Sequence, residues 1–419
     1  MRKVLTVAIL CLLFLLPVCA ISVNHESEEH PFDSEPMLDR YFRLTDDGNP
    51  SVWDGYRISL LTITKGSPLY SWFGHSALVV QTPDGRRIAF DYGTFSFASD
   101  HFIRNFVMGR LWFLCLSSYA DSRIDELESD GRSATSVELP LTAAQKKAVI
   151  TFLNENTRSG NREYLYHHYK DNCATRLRDI IDRATGGEFR RWAESRKGLT
   201  FRQQASRALS TNRFVQWALE FLQSSMIDRP ATLWDEMFLP DVLEKAVMEY
   251  FHVGNQVVVD NSGSRASAVP DSPQDNILFS VILGLVLGGI SFVLWHFGLE
   301  TAGGIYRCAV CIVFGVLGSV LLFMMLFTNH DVTWYNENIL FANPLLLVTA
   351  VLSLFRKEKA VRFVRICFRI LLGLIVILAV LKLLMPGFFF QQNWPAIITM
   401  ALFYIPSTLR PRKVRYKSN

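Results

Sequence analysis

The chain has 419 residues, of which 50% are hydrophobic and 20% are charged, and its formal net charge is +4. Soluble globular proteins carry about a quarter charged residues, so the mean hydropathy of +0.18 predicts that part of this chain lies in lipid. This composition excludes a disordered, collagen-like or coiled-coil protein, the weak net charge predicts no nucleic-acid partner, and seven scattered cysteines do not make a disulfide scaffold.

The first 20 residues have the pattern of a secretory signal peptide. Arg2 and Lys3 precede an apolar run over residues 4–16, and small residues end the segment near Ala20. We therefore expect residues 1–20 to be a signal peptide and the chain beyond them to be exported. An uncleaved first helix and a lipoprotein signal that uses Cys19 are the alternatives.

The remaining chain divides by composition into four parts. Residues 30–253 have the mixed charge of an ordinary soluble domain and are long enough for their own core. Residues 254–276 are rich in Ser, Asn, Asp and Pro, which is typical of a linker. Residues 277–409 contain apolar runs of membrane length, and residues 410–419 form a basic tail. The predicted order is an exported domain, a linker, a membrane domain and a cytoplasmic tail.

Five apolar runs in the membrane domain predict five transmembrane helices, because a bilayer core needs about 20 helical residues. The runs cover residues 277–297, 304–327, 339–355, 370–385 and 394–409. Basic residues cluster between the third and fourth runs and again after the fifth, and such clusters favour the cytoplasmic side. An odd number of helices then places the preceding domain outside, which agrees with the signal peptide.

Cys173 is the candidate nucleophile of the exported domain. Leu177, Ile180 and Ile181 recur at helical spacing after it, and Asp171 or Asn172 precedes it as a helix cap. A thiol in the first helical turn lies near unpaired amides and the positive end of the helix dipole, which favour the thiolate. Cys115, in the apolar segment 111–116, is expected to be a buried and inert thiol.

A thiolate nucleophile needs a base within hydrogen-bond reach, and His75 is the strongest candidate. It begins the apolar run 75–80 after Gly74, and the turn signal at residues 82–85 leads into a second run at 87–93. The resulting hairpin brings Asp91 or Tyr92 opposite His75, depending on whether the turn holds two or three residues. Either residue could orient the imidazole, and Asp91 is the better candidate because a carboxylate stabilises imidazolium.

Two further histidines, His167 and His168, lie close to Cys173 in sequence. They come five or six residues before it, on the approach to the predicted helix, and cannot easily fold back onto the thiol. We expect both histidines to lie in solvent or at the rim of the site.

These residues together resemble the Lnb N-terminal periplasmic domain family. The resemblance rests on residues 74–80 (GHSALVV), 90–95 (FDYGTF), 102–109 and 164–179, with Asn172 to Arg176 (NCATR) at its centre. That family is similar to the circularly permuted papain-like superfamily, in which a strand histidine precedes a helix-opening cysteine. The implied fold class is α+β, with a permuted papain-like exported domain and a C-terminal bundle of about five transmembrane helices.

The resemblance also implies a function. Full-length members of the family are similar to lipoprotein N-acyltransferases of Gram-negative bacteria, which lie in the inner (cytoplasmic) membrane with the catalytic domain in the periplasm. They imply transfer of a fatty acyl chain from a phospholipid, through a cysteine thioester, to the α-amine of the lipid-modified N-terminal cysteine of a lipoprotein. The expected catalytic residues are Cys173, His75 and Asp91, with Tyr92 and Asn172 as substrate-binding residues and no cofactor or metal.

An exported loop, residues 329–338, places polar and aromatic groups beside the bilayer surface and resembles the membrane-bound members of the family. We expect His330, Trp334 and Asn338 to bind the lipid head group or the acceptor. The alternative is that its Trp and Tyr residues are interface anchors.

Two other functions remain open from the sequence. A peptidoglycan amidase or endopeptidase would use Cys173 and His75 with water in place of the amine, although a wall hydrolase needs at most one membrane anchor. A non-enzymatic membrane scaffold or sensor would bind lipid or peptide and would not need Cys173.

Overall fold

A computed structural model of the chain describes residues 50–95, 101–261 and 269–409, which form two compact units. We call residues 50–208 and 230–272 the sheet unit, and residues 209–229 and 273–409 the helical unit. The predicted signal peptide at residues 1–20, the basic tail at residues 410–419 and part of the predicted linker lie outside the described residues.

The sheet unit is built on one sheet of seven strands in the order β6-β4-β3-β2-β1-β5-β7, and each pair of neighbouring strands is antiparallel. The central strands are apolar and buried along almost their whole length, which indicates that both faces of the sheet are covered. The strands are β1 Arg57–Ile63, β2 His75–Gln81, β3 Arg87–Thr94, β4 Trp112–Tyr119, β5 Ala134–Glu138, β6 Glu163–Leu165 and β7 Gln256–Val259.

Helices of the sheet unit lie between and after the strands, and at least three of the eight begin at a capping box. The third is capped by Thr142 and the fourth by Asn172, and in each the cap and the residue three positions later exchange hydrogen bonds. The helices are α1 Phe102–Val107, α2 Ala120–Ser129, α3 Ala143–Asn156, α4 Cys173–Ala184, α5 Glu188–Glu194, α6 Phe201–Leu209, α8 Leu233–Glu236 and α9 Pro240–Phe251.

Strand β7 lies inside the segment for which the composition predicts a linker. It pairs with β5, and Val259 joins a small core with Leu61, Ala77 and Leu127. A strand of only four residues, QVVV, is difficult to recognise from sequence beside a run of Ser, Asn and Asp. Residues 256–259 therefore belong to the sheet.

The helical unit contains α7 Arg213–Leu222, α10 Ile277–His296, α11 Glu300–Phe327, α12 Leu345–Leu352, α13 Glu358–Leu384 and α14 Trp394–Ser407. Among the described residues, three of these helices, α10, α11 and α13, are long and apolar enough to cross a membrane. The third and fifth predicted segments form shorter apolar helices. The structure thus has three candidate spans where the sequence predicts five crossings.

Residues 209–229 pack in the helical unit, although the composition places them in the exported domain. Trp217, Phe221 and Leu222 of α7 join the apolar core formed by the C-terminal helices. The backbone beyond α7 is also bonded within this unit, since the amide of Ser224 donates to the carbonyl of Val332 at 2.7 Å. An apolar helix of 10 residues is too short to be recognised as membrane-associated by a hydropathy window.

Candidate active site

Helix α4 begins at Cys173 because its cap is complete. The Asn172 side chain accepts a hydrogen bond from the Thr175 amide at 2.9 Å, and the Thr175 hydroxyl accepts one from the Asn172 amide at 2.7 Å. The amide of Arg176 then donates to the Asn172 carbonyl at 3.0 Å, which starts the helical ladder. This fixes the predicted placement of Cys173 in the first turn, where the helix dipole favours the thiolate.

Strand β2 places His75 at its first position. Gly74 precedes it with a φ of +76°, and a Cβ atom there would lie 2.8 Å from the carbonyl oxygen of Ile63. Glycine is therefore required at the entry to the strand, both by the left-handed backbone and by the close approach to β1. His75 itself is only 2% exposed.

The turn between β2 and β3 brings Asp91 to His75. The amide of Thr82 donates to the Arg86 carbonyl at 2.9 Å, so the loop holds three residues, 83–85, with Gly85 at a φ of +89°. This register places Asp91 opposite Ala77, and therefore on the His75 face at the diagonal position. Nε2 of His75 and Oδ1 of Asp91 are 2.8 Å apart and both side chains are buried.

Cys173 contacts the same imidazole. With Nε2 engaged by Asp91, the buried Nδ1 of His75 has no hydrogen-bond partner among the described residues. Burial lowers the pKa of His75, but the neighbouring Cys173 thiol and the Asp91 carboxylate outweigh burial and raise this pKa above its usual value. The imidazole therefore lies between a sulfur and a carboxylate, as a proton carrier for a thiol would.

Arg123 is a member of this cluster that sequence reasoning missed. It lies on α2, is 8% exposed, and holds Nη2 3.9 Å from Oδ1 of Asp91 while Nη1 donates to Glu126 at 2.8 Å. Burial raises the pKa of Asp91, but Arg123 and His75 outweigh burial and lower it. Helical spacing could have indicated that Arg123 is buried, because it shares the buried face of α2 with Ala120 and Leu127.

Tyr92 and Asn172, which the sequence predicts to bind substrate, make hydrogen bonds within the sheet unit, and their contact with substrate stays a prediction. Tyr92 points to the opposite sheet face from Asp91, is 1% exposed and donates its hydroxyl to Asn156. Asn172 is fully buried, and its amide nitrogen donates to the carbonyls of His168 and Phe238 at 2.7 and 2.9 Å. Asp91 is therefore the hairpin residue that the structure brings to His75. The Asn172 side chain caps α4 through its oxygen and donates its nitrogen to two backbone carbonyls.

The remaining candidates in the sheet unit are a cysteine and a histidine. Cys115 is fully buried, and burial raises the pKa of its thiol to about 12, which agrees with the expected inert thiol. His168 corrects an expectation, because it lies in the interior against Phe73 and Phe238 rather than in solvent. Burial lowers its pKa to about 3, so it is neutral at physiological pH.

The three candidates on the loop of the helical unit differ in environment. His330 is half-buried, and Trp334 is 38% exposed with its indole nitrogen 3.3 Å from the Thr328 carbonyl. Asn338 is fully buried and donates to the Phe221 carbonyl at 2.6 Å, while its own side-chain oxygen accepts from Asn393 at 2.7 Å. These bonds connect the loop to α7 and to Asn393, and contact of Asn338 with substrate stays a prediction.

Replacing Asn338 with alanine is expected to destabilise the helical unit. The change removes both bonds and leaves the Asn393 amide without its acceptor, which costs about 1–3 kcal/mol for a buried polar group. Thermal unfolding of the purified full-length protein in detergent should show a lower midpoint. Asn329→Ala, at an exposed position of the same loop, is the matched control, and equal midpoints for the two variants would contradict the structural role.

Asp91→Asn is expected to lower turnover on the order of 10²-fold, because an amide neither orients the imidazole in one tautomer nor stabilises its positive form. The variant also removes one of the contacts that raise the pKa of His75, so this pKa should fall. If His75 must be protonated to serve as the acid, activity is lost as the pH rises through its pKa. The alkaline limb of the pH–rate profile should therefore move to lower pH in the variant, and an unmoved limb would refute the pairing.

Among the described residues, no three His, Cys, Asp or Glu side chains lie close enough together to hold a metal ion.

Two family models match the chain. The Lnb N-terminal periplasmic domain matches residues 53–207, which include Cys173, His75 and Asp91, and the Lnb transmembrane domain matches residues 274–416. No curated protein and no solved structure matches the chain. The two matched regions cover more than half of the chain and leave residues 208–273 between them. The chain therefore belongs to the Lnb-type family, as a membrane protein with an N-terminal periplasmic domain and a C-terminal membrane-spanning region.

Proposed function

We propose that this protein is a thiol-dependent lipoprotein N-acyltransferase of the inner membrane. It moves a fatty acyl chain from a phospholipid to Cys173, and then from Cys173 to the α-amine of the lipid-modified N-terminal cysteine of a lipoprotein. The catalytic domain is a circularly permuted papain-like domain, with the base-bearing strand before the nucleophile-bearing helix in sequence. The two shorter apolar helices complete five membrane crossings.

One observation carries this proposal, namely the buried cluster of Cys173, His75 and Asp91. The thiol lies at a helix start, the imidazole contacts it, and the carboxylate bonds the far nitrogen of the same ring at 2.8 Å. This is the arrangement that nucleophilic catalysis by a cysteine requires: nucleophile, base and orienting group in a row. Membership of the Lnb-type family supports a lipoprotein-modifying membrane protein.

The first half-reaction forms a thioester. The Cys173 thiolate attacks the ester carbonyl of the phospholipid, and backbone amides of the first turn of α4 stabilise the negative oxygen. The new carbon–sulfur bond forms, the carbon–oxygen bond to the glycerol breaks, and the His75 imidazolium gives its proton to the departing lysophospholipid. Because Cys173 is fully buried and His75 is 2% exposed, entry of the ester requires movement of the side chains that cover them.

The second half-reaction transfers the acyl group. The neutral amine of the lipoprotein attacks the thioester carbonyl, and His75, now unprotonated, takes the proton that the amine loses. The carbon–sulfur bond breaks, and Cys173 leaves as the thiolate, paired once more with the protonated imidazole. Asp91 accepts the Nε2 hydrogen throughout and keeps Nδ1 directed at the sulfur.

The membrane region supplies proximity. Both proposed substrates are anchored in the bilayer, so a catalytic domain carried on membrane helices meets them at a high effective concentration. This explains why a protein that acts through a periplasmic thiol would have a whole domain of apolar helices.

Trapping the thioester tests the proposal. The purified full-length protein, incubated with a phospholipid and no amine acceptor, should gain one acyl mass on Cys173 that hydroxylamine removes. Cys173→Ser should show no such adduct, and Cys115→Ala, which removes the other cysteine of the sheet unit, should keep it. An adduct that forms equally in Cys173→Ser would rule out this residue as the nucleophile.

The acceptor distinguishes acyl transfer from hydrolysis. When a lipid-modified peptide with a free N-terminal amine is added, the acyl group should move to that amine. Absence of the adduct with every phospholipid, together with cleavage of cell-wall fragments, would show that the same residues form a peptidoglycan amidase.

A further inference from the structure

The helical unit contains a cavity of about 120 Å³. It lies where the C-terminal end of α10 and the first turns of α11 meet the loop between α12 and α13. Most of its lining residues are apolar or small, and three arginines contribute to it: Arg307, Arg356 and Arg365. Glu300 is the one carboxylate among the described lining residues.

One of these arginines, Arg365, has an unused hydrogen-bond donor within the described residues. Nε of Arg365 is buried and makes no hydrogen bond to a described residue. A buried donor without an acceptor is unfavourable, and a guanidinium group matches the paired oxygens of a phosphate. Residues 410–419 that follow α14 in the sequence contain five more Lys and Arg and no Asp or Glu side chain, so the tail has no acidic side chain to pair with them.

The rim of the cavity is suited to hydrocarbon. Leu299, Leu354 and Phe355 line it and remain about half exposed, at 50%, 54% and 50%. A free phosphate ion would gain nothing from these side chains, whereas the acyl chains of a phospholipid would cover them.

The position of the cavity along α10 indicates on which side of the membrane the cavity lies. The periplasmic domain precedes α10, which begins at Ile277, and the cavity lies at the opposite end of that helix, around residues 294–299. Basic residues 356–369 also favour the cytoplasmic side. The cavity is therefore placed at the cytoplasmic leaflet.

We propose that the cavity between α10, α11 and the α12–α13 loop binds the phosphate group of an anionic phospholipid in the cytoplasmic leaflet. Arg307 and Arg365 contact the phosphate oxygens, and the acyl chains lie along Leu299, Leu354 and Phe355. Basic pockets between membrane helices on the cytoplasmic side commonly hold such head groups. The site is separate from the proposed acyl donor site and does not depend on the proposed activity.

Lipid binding to the full-length protein in detergent micelles tests this site. Native mass spectrometry during titration with phosphatidylglycerol, and with phosphatidylcholine of the same chains, should show preferential binding of the anionic lipid. Each arginine contributes about fivefold, so the double variant Arg307→Gln/Arg365→Gln should bind phosphatidylglycerol about twenty-five-fold more weakly. Arg362→Gln, an exposed arginine on the same helix outside the cavity lining, should bind it as the wild type does.

Three results would overturn the proposal. Equal binding of the two lipids by the wild type would remove the requirement for an anion, and an equal loss in Arg362→Gln would show general surface attraction. Displacement of the lipid by inorganic phosphate at comparable concentration would show a soluble ligand instead. If the double variant unfolds, the wild-type protein tests the proposal by itself. Its melting midpoint should rise with phosphatidylglycerol and not with phosphatidylcholine, and an equal rise with both lipids would overturn the proposal.

Discussion

Cys173→Ala is expected to lower lipoprotein N-acylation by a factor on the order of 10⁴ or more. The variant removes the only atom that can carry the acyl group in the proposed mechanism, and loss of a nucleophile is not compensated by the remaining catalytic groups. The measurement is turnover of the purified full-length protein with phospholipid and a lipid-modified peptide. Alanine also leaves the start of α4 intact, because the cap is formed by Asn172 and Thr175 and not by the thiol.

The matched control is Cys115→Ala. Both cysteines are fully buried in the same unit, but burial raises the pKa of Cys115 to about 12, whereas Cys173 lies at a helix start beside an imidazole. Turnover of Cys115→Ala should stay close to that of the wild type. Activity that survives in Cys173→Ala would show that a different group is the nucleophile.

His75→Ala is expected to slow turnover by a factor on the order of 10² to 10⁴, the range for loss of a general acid–base group. The imidazole acts in both proposed half-reactions, first as acid toward the lysophospholipid and then as base toward the amine. Single-turnover measurements should therefore show slower formation of the thioester and slower transfer of the acyl group from it.

His101→Asn serves as the control for this variant. His101 is exposed and has a positive φ of 60°, a backbone conformation that asparagine tolerates, so the change removes an imidazole without added strain. It should leave both half-reactions unchanged. If His75→Ala slowed only one of them, a second group would have to serve as acid or base in the other.

The parts of the site that could be predicted from sequence are those set by local signals. The helix that starts at Cys173 follows from the spacing of Leu177, Ile180 and Ile181 and from a capping residue beside the thiol. The hairpin that carries His75 follows from two apolar runs around a Pro-Asp-Gly turn. Each of these signals lies within about a dozen residues, where the backbone geometry is determined by near neighbours.

The partner of His75 could not be chosen in the same way. Turn residues 82–86 allow either loop length, and a change of one residue exchanges Asp91 for Tyr92 on the face of the sheet. Arg123 is still harder to predict, because its proximity to Asp91 depends on how α2 packs against the sheet. Asp91 and Arg123 are 32 residues apart in sequence. A contact over that distance depends on the whole fold and cannot be predicted from the local sequence.

In the helical unit, hydropathy predicts the positions of the helices better than their lengths. Apolar runs locate the three long helices, but the lengths of the third and fifth depend on where caps and loops interrupt them, and α12 has only eight residues. Asn338 resembles a surface residue by type, yet it is fully buried and bonded to Phe221. From the sequence alone, a polar residue beside aromatic ones is equally compatible with a ligand-binding role and with a buried structural hydrogen bond.

The membership of residues 209–229 in the helical unit has a practical consequence for anyone who wishes to crystallise the periplasmic domain. A protein truncated at residue 253 would leave Trp217, Phe221 and Leu222 without the apolar neighbours that bury them, and would also lack the edge strand Gln256–Val259. Such a fragment should aggregate or require detergent. A soluble fragment should instead run to about residue 261 and replace residues 209–229 with a short polar linker, since the chain leaves the sheet unit at 208 and re-enters it at 230.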